Sequence, residues 1–115
     1  MRLAKTVEIL GVTYAEVKGA DAALWPGDLI QTDAPLGADA RVLMVSACQD
    51  FRSLYLVNFV GHKAGLPFGA PIPAAAASQG ALNIRVAWIM ENWRNTVGVG
   101  QFETATLLTH VPKET

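Results

Sequence analysis

Cysteine occurs once in this chain, at Cys48, so no internal disulfide can form. Small domains built for an oxidising compartment usually carry paired cysteines, and the lone thiol points instead to a reducing one. Histidine is almost as scarce, with His62 and His110 alone. Structural zinc takes four Cys/His ligands at short paired spacings. Three scattered candidates without CxxC or HxxxH do not make such a site, so no metal or other cofactor is expected. No apolar run approaches the ~20 residues that span a bilayer. The opening Met1-Arg2-Leu3-Ala4-Lys5 lacks the apolar stretch and cleavage site of a signal peptide. The expected location is the cytoplasm. A surplus of one charge is missing too: 9 basic residues stand against 10 acidic ones. The basic residues are scattered, so neither nucleic acid nor an anionic membrane finds a basic patch.

What is there is apolar. Half of the 115 residues are hydrophobic, which suits a single domain over residues 1–115 with its own core. Val7 to Val17 reads as strand, interrupted at Gly11. Asp21 to Leu24 suits a short helical turn. Pro26-Gly27 then bends the chain, and Asp28 to Thr32 reads as a strand leaving that bend. Arg41–Ala47 and Ser53–Val60 form the clearest pair, joined by the short Cys48-Gln49-Asp50-Phe51-Arg52 loop of a hairpin. In the second run Leu54 and Leu56 point one way, and Tyr55, Val57 and Phe59 the other. Both faces are apolar, so this strand should be central and covered on both sides. Leu66 to Pro73 holds three prolines and suits an edge or a loop. Ala74 to Ala77 favours helix but is too short to stand alone.

The best helix spans Ile84 to about Asn95, with Asn83 as its N-cap. Val86, Ile89, Met90 and Trp93 make its apolar stripe. Phe102 to Thr109 closes the chain as a strand. The fold class is α+β: a small, mainly antiparallel sheet, free to curl toward a barrel, with one principal α-helix.

Chemistry-bearing residues are few. Cys48 at a strand end could serve as a nucleophile only beside a base such as His62, and the ordinary role of a lone cysteine is packing. Gly61-His62-Lys63-Ala64-Gly65 follows a strand but is not a phosphate-binding GxxxxGK[ST], and a tight turn needing flexible residues explains its glycines. In Trp25-Pro26-Gly27-Asp28 the Pro-Gly makes the bend and the aspartate satisfies backbone donors. A catalytic Asp28 would need an acid–base partner that the sequence does not assign. No catalytic residue is expected, and the chain reads as a binding protein, not an enzyme.

Contact candidates are clearer. Trp88 falls off the helical stripe beside Asn92, as an interface anchor would, unless the Leu66-to-Gln79 segment folds over it. Phe51, at the hairpin tip between Asp50 and Arg52, has the composition of a partner surface, or equally tucks under the sheet. His62 and Lys63 add an exposed polar loop.

From about Leu24 to Leu108 the chain resembles the immunity protein 45 family of bacterial polymorphic toxin systems. The resemblance rests on Gly27-Asp28-Leu29-Ile30 and on the strand Val42 to Val45. It continues through a second strand ending in Gly61-His62-Lys63-Ala64-Gly65, and through Trp88-Ile89-Met90-Glu91-Asn92-Trp93. It implies an antitoxin that binds a cognate toxin or effector domain and blocks its active site or substrate entry. Its contact residues would be Asp50, Phe51, Arg52, His62, Lys63, Trp88 and Asn92. Nucleic acid and membrane are not expected partners, and there is room for a homodimer. The rival expectation is a small β-barrel that binds nucleic acid or acts as a ribonuclease, prompted by the Pro-Gly-Asp turn.

Overall fold

The computed structural model describes residues 6–17, 19, 21–35, 38–47, 53–61, 63–78 and 81–111. The chain opens with a hairpin of β1 (Thr6–Ile9) and β2 (Val12–Glu16). Leu10 and Gly11 turn it, both at positive φ (51° and 80°), as the twist of a two-residue hairpin demands. Next come β3 (Ala23–Leu24), β4 (Leu29–Gln31), β5 (Val42–Ala47), β6 (Leu54–Asn58) and β7 (Pro67–Ile72). A 3-10 turn at Ala74–Ala76 leads to β8 (Ile84–Arg85). Two short helices follow, α1 (Val86–Glu91) and α2 (Trp93–Thr96), then a second 3-10 turn (Phe102–Thr104) and β9 (Thr106–His110).

Seven strands form one sheet in the order β1-β2-β9-β4-β5-β6-β7, every pairing antiparallel. The α+β expectation therefore holds. The barrel does not: among the described residues no pairing joins β1 to β7, and the sheet stays open. β6 lies inside the sheet with Leu56 and Val57 both buried on opposite faces, as its two apolar faces required. β7, with Pro67 and Pro71, takes an edge.

Strand alternation sorts the core into two layers. On the helix side, Ile30, Leu43, Val45, Leu54, Leu56 and Leu107 pack with Val86, Ile89, Trp93 and Val97. On the other face Tyr14, Leu29, Val42 and Leu108 make a smaller cluster edged by Ile9, Met44, Phe59 and Val60. No described helix is long and apolar enough to cross a membrane.

Four local expectations fail. The strand expected from Phe102 begins only at Thr106, because Phe102–Thr104 forms a 3-10 turn. Ala23–Leu24 is strand, not helical turn, because it pairs with Ile84–Arg85 far along the chain. That pairing holds Ile84 and Arg85 extended, so the helix starts at Val86 and Arg85 takes the N-cap position without a side-chain cap bond. Asn83 is buried and turned to Ser78 instead, accepting its backbone N–H at 2.8 Å. The helix also breaks at Asn92 (φ −114°, ψ 17°). Past the break Val97 enters the core, while Met90, expected in the stripe, is 46% exposed.

Candidate functional site

The most concentrated polar arrangement grows from the turn at Trp25 to Asp28. Its first and last residues are joined by the Asp28 N–H donating to the Trp25 carbonyl at 2.9 Å. Gly27 sits at φ +96°, and Pro before such a glycine is the signature of a type II turn. The Asp28 side chain is fully buried, yet every lone-pair direction is used. One oxygen, Oδ2, accepts the Trp25 N–H at 2.8 Å and the Thr109 hydroxyl at 2.9 Å. The other, Oδ1, accepts the His110 N–H at 3.0 Å and meets His110 Nδ1 at 2.7 Å. The expected role of Asp28, satisfying backbone donors, is thus observed. Its second role, bonding the His110 ring, was invisible in the sequence because β9 supplies the ring.

A carboxylate only accepts, so the geometry assigns the hydrogen to Nδ1 and leaves Nε2 as the outward nitrogen. The His110 side chain is half exposed, and Gly27 lies beside the ring, where an added Cβ would stand 3.9 Å from Nδ1. Across the β2–β9 ladder His110 faces Tyr14. Burial, and then the negative charge of Asp28, push the Tyr14 phenol above its ordinary value. Chemically this is an oriented imidazole with a buried carboxylate behind it and a neutral phenol at its side. The clefts lined by Arg94 and Phe102, by Val86 and Leu107, and by Trp88 lie elsewhere. Among the described residues no three His, Cys, Asp or Glu side chains are grouped to hold a metal ion.

Of the contact candidates from the sequence, the described Lys63, Trp88 and Asn92 make none of the Asp28 contacts. Asp50, Phe51, Arg52 and His62 lie outside the described residues, as does Cys48. The first three precede β6, whereas Lys63 follows its other end. Lys63 is exposed on a turn with glycines at φ +94° (Gly61) and +89° (Gly65). That turn is fastened underneath: the Lys63 N–H donates to Asp39, and the buried Asn58 bonds Gly65, Leu66 and Ala40. The glycines serve a tight turn, as expected.

Trp88 lies between the two readings of the sequence. It is half-buried against the helix-side core and borders a cleft of about 210 Å³ shared with Ala70 to Pro73, Asn92, Asn95 and Thr96. Ala70 to Pro73 of the preceding segment line the same cleft, so the ring is partly covered by its own chain. The Asn92 amide donates to the Trp88 carbonyl at 2.9 Å and serves the helix break. The exposed large apolar residues are others, Leu10 (85%), Leu66 (56%) and Trp25 (46%) among them. Trp25 and Leu66 adjoin turns whose Pro and Gly were legible, but their exposure left no mark in the pattern.

Compared with family models, with curated proteins and with solved structures, the chain matches none.

Proposed function

We propose that this chain is a stoichiometric antitoxin of the immunity type, acting in the cytoplasm by covering a cognate toxin or effector domain. The supporting observation is where the four resembling segments fall. Gly27 makes the positive-φ bend and Asp28 the buried hub; Leu29, Ile30, Leu43 and Val45 are core. Gly61 and Gly65 make the β6–β7 turn, and Trp93 is buried. Each of these segments helps to hold the shape of the chain, as the signature of a binding scaffold would. The turn carrying Lys63 and Leu66 is exposed on a backbone fixed from below, and preorganised turns lose little freedom on binding. Tight recognition would bury roughly 1,200–2,000 Å² in total. Co-expression with effector domains encoded beside this gene, followed by size-exclusion chromatography, tests the reading. Co-elution and survival of the host are expected; failure with every neighbouring effector rejects it.

The Asp28–His110 pair favours one second reading, a small hydrolase of the ribonuclease type with His110 as general base. An imidazole held by a carboxylate suits that work. His110→Gln should then abolish activity on RNA while the fold is kept.

A further inference from the structure

The two edges of the sheet are built differently. β7 carries prolines at 67 and 71, which have no N–H to offer a neighbour. β1 is Thr-Val-Glu-Ile, without proline, and on its outer side no described strand pairs with it. A proline-free open edge is a template for another strand.

Hairpin geometry says which groups that edge offers. Ile9 and Val12 flank the two-residue turn and so exchange hydrogen bonds with each other. Bonded and non-bonded pairs alternate along an antiparallel ladder. Val7 therefore bonds inward to Tyr14, while the N–H and C=O of Thr6 and Glu8 point away from β2. The next ladder agrees with this phase: Thr13, opposite Glu8, turns its carbonyl to the Val111 N–H at 2.8 Å.

We propose that β1 pairs antiparallel with β1 of a second copy of this chain, about a twofold axis at Val7. In that register Thr6 lies opposite Glu8 of the second copy and Glu8 opposite its Thr6. Each of these two pairs exchanges two backbone hydrogen bonds, satisfying all the outward groups of Thr6 and Glu8. Val7, 37% exposed in the single chain, meets its own copy in the close, non-bonded pair on the axis. A register centred on Glu8 would instead set two carboxylates face to face, which is unfavourable. The choice of a second copy rests on this self-complementarity of backbone groups, valine contact and charge. Since prolines interrupt the far edge, assembly closes at two copies instead of growing into a filament. One short strand pair buries less than the ~1,200 Å² of a standard complex, so the dimer dissociates in the micromolar range.

Sedimentation of the purified chain alone, without any toxin, from about 1 µM to about 500 µM tests this. A reversible shift from monomer to dimer mass is expected. Glu8→Pro removes an outward N–H, leaves the β1–β2 bonds in place, and should hold the chain monomeric throughout. In a Cys48→Ser background, Val7→Cys should give a covalent dimer on mild oxidation, because ~4.5 Å between Cα atoms of a non-bonded pair lies within disulfide reach. Val12→Cys, similarly exposed but off the axis, should not. A chain monomeric at the highest concentration overturns the proposal, as does dimerisation undiminished by Glu8→Pro. Equal crosslinking of the two cysteine variants overturns it as well.

Discussion

The Asp28 carboxylate and the His110 imidazole stand 82 residues apart in sequence and 2.7 Å apart in the fold. Through this contact, and through the Thr109 hydroxyl and two backbone N–H groups, one buried side chain ties the turn at Trp25 to the final strand. Asp28→Asn keeps the size but points an NH2 at donors on one side. A buried donor left facing donors costs about 1–3 kcal/mol. His110→Gln loses only a half-exposed partner and should cost about 1 kcal/mol or less, since solvent screens it. Urea unfolding of the two variants should therefore rank Asp28→Asn well below His110→Gln. Equal stability of Asp28→Asn and the parent would show that the carboxylate is not the hub.

The two helix tryptophans should both matter for folding, unequally. Trp93 is 6% exposed, lies edge-on to Phe102 and donates its indole N–H to the Gly100 carbonyl. Trp93→Ala should cost ~3–5 kcal/mol. Trp88, half-buried beside β7, should cost about 1–2 kcal/mol on truncation. A Trp88→Ala protein that melts with the parent would show that the cleft adds little to stability and leave the ring to serve as an interface anchor.

Tyr14 makes stability depend on alkaline pH. Its folded phenol is raised above the unfolded value of about 10 by burial and by the Asp28 charge. The folded state therefore holds that proton more firmly. The resulting stability is fully present below about pH 10 and is lost as pH rises through the folded value. Unfolding free energies of the parent and Tyr14→Phe, followed from pH 8 upward, should show an alkaline fall that the variant lacks. The same fall in both would assign it elsewhere.

Leu10 occupies a left-handed position (φ 51°) at the hairpin tip, 85% exposed. Asparagine tolerates that backbone better and suits the first place of a two-residue turn before glycine. Leu10→Asn should stabilise by about 0.5–1 kcal/mol, raising the melting temperature by a few degrees. A lower melting temperature would mean that the leucine makes contacts the turn geometry does not reveal.

What was legible in the sequence was local. The β5–β6 pair, the Pro-Gly bend before β4 and the edge position of a proline-rich β7 all follow from residues within a few positions of each other. Alternation along β6 also gave its two faces correctly, because strand periodicity needs no knowledge of the partner. What failed needed distant partners. Ala23–Leu24 became strand because Ile84–Arg85 lay beside it, and the same pairing shortened the helix and released Asn83 to Ser78. Asp28 could be recognised as a turn aspartate from Pro26 and Gly27. Its contact with His110 depends on the register of β9 against β4, and nothing near either residue announces it.

The central claim, stoichiometric neutralisation by binding, is tested most directly by titration. The purified chain is added stepwise to the purified toxic domain encoded beside it, and residual toxin activity is measured against molar ratio. Activity should fall linearly and vanish at one chain per toxin. Inactivation of many toxin molecules by each chain, or full activity at excess chain, would contradict the account.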